Sequence, residues 1–170
     1  MPTTRHASAG ILSDANAAKR EEIVQLLTKA YWMEMETVIS YLSNSSHLDG
    51  VRAEEIAENL AADVEEELGH AKLFAARIKD LYGTPPGSMD FTAEQSYLQP
   101  PEHQTDIVHV IKGVIEAETG AIEHYNTIIR QTEEIDPVTQ DMVIAILRDE
   151  EGHRRLFEGF LREYKAEGLA

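Results

Sequence analysis

Two stretches of the chain carry the same chemistry-bearing string. ELGHAKLF at 67–74 and EEGHRRLF at 150–157 both read Glu-x-Gly-His-x-x-Leu-Phe, 83 positions apart. In each, a glutamate stands three residues before a histidine: Glu67 with His70, and Glu150 with His153. On an α-helix, side chains three apart share a face about one turn apart. A carboxylate and an imidazole so placed can hold one divalent cation between them, and the carboxylate's second oxygen can bridge to another. One Glu-x-x-His is weak in an acidic chain, but the repeat of the whole string is much stronger.

Two further glutamates complete a set. Glu34 and Glu118 each have a tyrosine seven positions on, Tyr41 and Tyr125. Glu34 precedes Glu67 by 33 positions and Glu118 precedes Glu150 by 32, so the chain reads as a duplicated helical hairpin. All six residues interrupt apolar stripes. Burying one unpaired carboxylate costs several kcal/mol, roughly, and this core would hold four. Two divalent ions would neutralise them. Four carboxylates with two imidazoles form the recurring di-iron or di-manganese constellation of helical bundles. Oxygen donors with imidazole suit iron or manganese, and the lack of thiolate argues against structural zinc. A proton-shared Glu–His network without metal is the alternative.

Residues around the six have two readings each. Tyr41 and Tyr125 are either core aromatics or hydroxyl donors to the ligands. Glu66 and Asp149, each just before a bridging glutamate, are candidates to bond the opposite histidine. Gly69 and Gly152 recur at one motif position, although a glycine inside a helix costs ~1 kcal/mol; this suggests close helix approach. Trp32 reads as packing. His47, His103, His109 and His124 lack partners at ligand spacing and read as surface or edge residues.

Four helical segments must position these groups. A small, polar tail runs over 1–13, and Ser13-Asp14 can cap the first helix, which extends to about Asn44. The second spans about 51–81, the third about 105–132, and the fourth starts at Asp136-Pro137 and ends near Lys165. Asp followed by Pro reads as an N-cap and a first helical residue. The stripes hold Ile23, Leu27, Ala30, Val38 and Tyr41; then Leu60, Val64, Phe74, Ile78 and Leu81. They continue with Ile107, Ile111, Val114, Ala121, Tyr125 and Ile128, then Val143, Ile146, Phe157 and Phe160. Short links join the first pair and the second pair. A long connection over 83–104, with one short helix at 91–98, crosses between them. The predicted fold is an all-α four-helix bundle in a single domain, 1–170, with one long crossover.

Composition narrows the function. The chain has no cysteine, which excludes disulfides, thiolate nucleophiles and iron–sulfur clusters. No apolar run approaches the ~20 residues of a membrane span, and the N-terminus has no signal-peptide core; a cytoplasmic location is expected. With 31 acidic against 15 basic residues, the net charge of −16 repels DNA and anionic membranes and attracts cations. Residues 1–20 offer only Arg5, Lys19 and Arg20 to a DNA backbone, so no DNA partner is expected.

At these residues the chain resembles the ferritin-like superfamily, and most closely bacterioferritin and its Dps-like relatives. EMETVISY at 34–41 and EAETGAIEHY at 116–125 look like the ligand stretches of helices A and C. EELGHAKLF and DMVIAILRDEEGHRRLF look like helices B and D, and the resemblance covers about 20–165. It implies that Glu34 and His70 hold one iron, Glu118 and His153 the other, and that Glu67 and Glu150 bridge. Leu68 stands where bacterioferritins carry the haem-binding methionine, so no haem is expected. The chain ends just after the fourth helix, where 24-subunit ferritins usually carry a fifth, and it has a longer tail and crossover. Those features look more like twelve-subunit Dps-like shells, so a dodecameric homo-oligomer is expected. Rubrerythrins use an additional helix C carboxylate and a cysteine-bound domain; here position 121 is Ala and cysteine is absent.

The resemblance implies a ferroxidase that oxidises Fe(II) with hydrogen peroxide or dioxygen, stores iron and removes peroxide. A non-storage di-iron or di-manganese enzyme, such as a rubrerythrin-like peroxidase, catalase or hydroxylase, is the alternative.

Overall fold

The computed structural model describes residues 10–170. Four long helices carry the fold: α1 (Ala17–His47), α2 (Ala53–Asp80), α3 (Ile107–Thr132) and α4 (Pro137–Ala166). No strand occurs among the described residues. Most of the expected tail lies outside them. Its end, Gly10 to Ser13, forms a turn, and Ser13 caps a single 3₁₀ turn at Asp14–Asn16 before α1.

The boundaries have local causes. Asp106 caps α3 by accepting the His109 amide at 3.1 Å, and Asp136 caps α4 by accepting the Thr139 amide at 3.0 Å. Pro137 follows at the first helical position, where its missing N–H costs nothing. The tight α1–α2 link turns at Gly50, whose φ of 120° excludes most side chains.

α1 packs against α2 and α3 against α4 as antiparallel pairs, and α1 lies beside α3. The apolar stripes meet in two clusters. One holds Ile23, Leu27, Phe74, Ile78, Tyr125, Ile128, Val143 and Ile146. The other holds Tyr41, Ile56, Leu60, Ile107, Ile111, Val114 and Phe157. Each such side chain taken fully out of water contributes about 1.5–3 kcal/mol. Val64 and Phe160 are only partly buried, against the second cluster.

The crossover departs from expectation. There is no helix over 91–98; instead two single 3₁₀ turns, Ser88–Asp90 and Ser96–Leu98, punctuate an extended segment. Side chains of α1 hold it down. The buried Glu36 carboxylate accepts the Glu94 amide at 2.9 and 3.0 Å and the Gln95 amide at 2.7 Å. Asn44 donates to the Leu98 carbonyl at 2.9 Å. Gly113 lets the segment lie directly on α3, since a Cβ there would come within 2.5 Å of the Tyr97 carbonyl. These external amide partners replace the hydrogen bonds a helix would have made, so the segment need not coil.

Gly69 and Gly152 do not serve helix approach within the subunit. An added Cβ at either would meet nothing within 4 Å. The motif repeats because the site is duplicated, but no packing inside the chain demands the glycines.

Candidate metal centre

The charged residues that interrupt the stripes meet between the two apolar clusters. α1 brings Glu34, α2 Glu67 and His70, α3 Glu118, and α4 Glu150 and His153. The four glutamates are 1–2% exposed. Helix geometry does the placing: Glu67 and His70, like Glu150 and His153, are three positions, just under one turn, apart on the inward face. Two overlapping groups result, Glu34–Glu67–His70–Glu150 and Glu67–Glu118–Glu150–His153, each with one donor atom per residue within 4.8 Å of the others. Glu67 and Glu150 belong to both. All six residues singled out by spacing are therefore brought together.

Both histidines turn Nδ1 inward. His70 Nδ1 is 3.0 Å from Glu150, 3.4 Å from Glu67 and 3.8 Å from Glu34. His153 Nδ1 is 3.4 Å from Glu67 and 3.8 Å from Glu150. Both turn Nε2 outward to a carboxylate of the other half. His70 Nε2 is 3.3 Å from Asp149, and His153 Nε2 is 3.4 Å from Glu66. The tyrosines cross as well: Tyr41 donates to Glu118 at 2.5 Å, and Tyr125 donates to Glu34. The hydroxyl-donor reading thus holds for both, and burial pushes both hydroxyls up, so they stay protonated and donate.

The proton balance follows from these contacts. Burial, then the charges of Glu67 and Glu150, hold Glu34 well above the usual carboxylate range. Burial and Glu150 do the same to Glu118. At Glu67 burial and Glu150 also push upward, but hydrogen bonds from His153 and His70 prevail and hold it below. Glu150 opposes the same burial with bonds to His153 and His70 and falls to about 2. Burial opposes charging of the histidines, yet bonds to Glu150 and Glu67 raise His70 to about 10 and His153 to about 12. Without metal, then, two imidazoliums balance two central carboxylates, while the outer two carboxyl groups favour their protons.

That balance leaves donor atoms paired in charge but without aligned hydrogen bonds. Among the described residues, five buried side-chain atoms lack an aligned hydrogen bond: Glu67 Oε1, Glu150 Oε1, His153 Nδ1, Asp63 Oδ2 and, away from the centre, Asn44 Oδ1. Unsatisfied buried polar atoms are rare and costly, about 1–3 kcal/mol each. Three of these five lie on the six residues and face the centre, held there only by ion-pair contacts of 3.0–3.4 Å. A pair of divalent cations fits this donor set in number, charge and chemistry.

Spacing missed three contributors. Asp63 Oδ1 stands 3.9 Å from His153 Nε2. Burial raises this carboxyl to about 6, against the pull of His153. Glu36 anchors the crossover. Arg77, buried on α2, donates to Asp136 at 2.7 Å and Thr139 at 2.8 Å and ties α2 to the start of α4. Asp63 lies four positions before Glu67, on the inward face, which is the signal that could have found it. Among the remaining histidines, His47, His109 and His124 bond carbonyls of Pro101, Gln99 and Leu26; these are local fastenings. Trp32 stacks between Tyr31 and Phe91 at 5.0 and 5.1 Å, as packing.

Fold and site together define a helical-bundle protein with a carboxylate–histidine centre. Residues 24–166 match the ferritin family, described as a ferritin-like domain, and the chain belongs to that family. It is 32% identical over 146 residues to the DNA protection during starvation protein of Pyrococcus furiosus, covering 83% of this chain and 77% of the relative. It is 26% identical over 141 residues to the bacterioferritin of Desulfovibrio desulfuricans, covering 82% and 74%. Its fold is similar to that of the bacterioferritin-related protein of Bacteroides fragilis, described as a dodecameric thioferritin, with a TM-score of 0.75 at 21% identity over 88% of this chain and 89% of that one.

Proposed function

We propose that the protein is a ferroxidase that takes Fe(II) as substrate, oxidises it with hydrogen peroxide or dioxygen at a di-iron centre within each subunit, and thereby stores iron and removes peroxide. The convergence of four buried carboxylates and two imidazoles, with donor atoms that lack aligned hydrogen bonds facing the centre, carries this reading. Glu34 and His70 would hold one ion, Glu118 and His153 the other, and Glu67 and Glu150, which belong to both groups, would bridge. Bound iron would supply the one-electron change between Fe(II) and Fe(III), and two ions together match a two-electron oxidant.

The chain's own groups prepare the site. Asp149 and Glu66 accept from Nε2 of the histidines and so leave Nδ1 free to donate inward. Tyr41 and Tyr125 fix the outer carboxylates. The carboxyl and imidazolium protons leave as cations enter, so the buried charge stays near zero. The two apolar clusters close the centre off from bulk water above and below.

Membership of the ferritin family and the bacterioferritin relative support storage, and the B. fragilis protein supports a shell of twelve. A surface carrying −16 would draw Fe(II) toward such a shell. The absence of cysteine agrees with a cytoplasmic site of action, and no described helix is long and apolar enough to cross a membrane. Lys19 and Arg20 are engaged within the chain, with Glu22, Gln131 and the carbonyls of Ile11 and Ser13, and give DNA little to bind.

One observation favours a non-storage di-iron or di-manganese enzyme. A cavity of about 730 Å³ lies between α1, the crossover and α3, lined by Trp32, Met33, Tyr97 and His124 among others. None of the six candidate ligands lines it, which leaves storage the stronger reading. Light scattering and native mass before and after adding Fe(II) with peroxide test the choice. A shell that gains hundreds of iron atoms is expected, as an order of magnitude for a mineral core rather than a bound pair. A dimer that stops at two metals per chain would sink storage and leave the enzyme.

A further inference from the structure

The two halves of the centre are not equivalent. The 83-position shift that aligns α2 with α4 matches Glu66 with Asp149, Glu67 with Glu150 and His70 with His153. The same shift matches Asp63 with Ile146. Ile146 is 1% exposed and belongs to the apolar cluster of Phe74 and Tyr125. Asp63 instead presents a carboxylate whose side chain is 13% exposed. Its Oδ1 is 3.9 Å from His153 Nε2, and its Oδ2 is buried without a hydrogen-bond partner. Glu66 stands 3.4 Å from the same nitrogen and also within 4.8 Å of His70 and Asp149, so it faces both histidines. Asp63 is grouped with Glu66 and His153, and not with His70.

We propose that Asp63 makes the metal position built on Glu118 and His153 the tighter of the two. The inference rests on the di-metal reading above and deepens it. A second carboxylate 3.9 Å behind the imidazole is too far for a hydrogen bond of its own, but its charge favours positive charge on the ring and makes Nδ1 a stronger donor toward a cation. The carboxylate would also attract a dication across the ring, since its side chain is largely removed from water. On the His70 side Ile146 supplies neither effect, and the second carboxylate within reach there, Glu66, has a side chain 46% exposed and so is screened by water. Asp63 is thus a positioning residue that sets the order in which the two positions fill, the His153 position first.

The test resolves the two positions with Co(II), whose visible absorption reports its coordination. His70→Ala keeps the position built on His153, and His153→Ala keeps the one built on His70. Co(II) is expected to bind the His70→Ala chain at least about tenfold more tightly than the His153→Ala chain. Adding Asp63→Asn is expected to weaken Co(II) roughly ten- to hundredfold in the His70→Ala chain. The His153→Ala chain should change less than about threefold. Asp63→Glu, which keeps the charge, should restore most of the affinity. Equal affinities in the two single-histidine chains, or an equal loss from Asp63→Asn in both, overturn the proposal. Should a histidine variant fail the circular-dichroism check for helix, the intact chain decides. There Asp63→Asn must weaken the first Co(II) step and spare the second; an unchanged first step overturns the proposal. If the unaltered chain takes up no Co(II) pair, the di-metal reading itself falls; if it takes up the pair and Asp63→Asn changes neither step, this inference alone falls.

Discussion

Tyr41 on α1 donates its hydroxyl to Glu118 on α3 at 2.5 Å, across the middle of the bundle. Its duplicate Tyr125 on α3 returns the bond to Glu34 on α1. The histidines follow the same rule, His70 reaching Asp149 and His153 reaching Glu66. Every support of the centre therefore comes from the opposite hairpin.

Tyr41→Phe should unfasten Glu118, and Tyr125→Phe should unfasten Glu34. Groups that orient metal ligands typically account for about ten- to hundredfold in affinity. A loss of that size, confined to one of two ions in a Co(II) titration, is expected for each variant. Loss of both ions together would mean that the tyrosines hold up the bundle rather than the ligands.

The histidines predict how pH acts on the metal-free protein. His70 titrates near 10 and His153 near 12 when folded, against about 6.5 for a free imidazole. The folded chain thus holds more protons than the unfolded chain above that value. Their contribution is complete below pH ~6.5 and is lost as pH rises through 10 toward 12. Metal binding would replace those protons. The gap in melting temperature between metal-loaded and metal-free protein should widen from pH 6.5 to 9.5, roughly the window over which the folded imidazoles alone stay charged. A constant gap across that range would contradict the imidazolium pairing.

Loading should also release protons. Two imidazoliums give up two, and each outer carboxyl still protonated adds one, to a limit of about four per ion pair. Calorimetry of Zn(II) binding in buffers of different ionisation enthalpy measures the number. Release of fewer than about two would show the histidines to be neutral before the metal arrives.

Arg77→Leu removes one partner of a buried ion pair and leaves Asp136 uncompensated. The expected cost is about 3–5 kcal/mol of stability. The pair fastens α2 to α4 beside the α3–α4 link, and none of the six candidate ligands takes part. Urea unfolding should therefore show the loss while the number of metal ions bound per folded chain stays the same.

Gly69→Ala and Gly152→Ala meet no atom within the chain, and each removes a helix-interior glycine. Each should stabilise the isolated subunit by up to about 1 kcal/mol. If the assembled protein is destabilised instead, a neighbouring subunit lies against those backbones.

The helices and all six centre residues were legible because both signals are periodic. Apolar stripes mark the helices, and acids inside a stripe mark where the core is interrupted. The duplication then supplied a second copy of each observation. What escaped had no such register. Glu34 and Glu36 look alike in EMETV, yet one faces the centre and the other clamps a distant loop through its amides. The 91–98 segment has helix-compatible residues, but amide partners on α1 hold it extended. Asp63 sits in the inward register, but its counterpart is Ile146, so a reading based on repetition passed over it.

The division of the core into two apolar clusters has a further consequence. The charged belt between them is held in the metal-free chain by the His–Glu pairs and the two tyrosine bonds rather than by apolar packing. Those few polar contacts and the continuous helices are what join the two apolar ends of the bundle. Amide hydrogens at the waist, around Glu34, Glu67, Glu118 and Glu150, should then exchange faster than those beside Ile78 or Ile111, and metal should slow them most. The cation pair would act as a mid-span rivet, turning two short stacks into one stiff column.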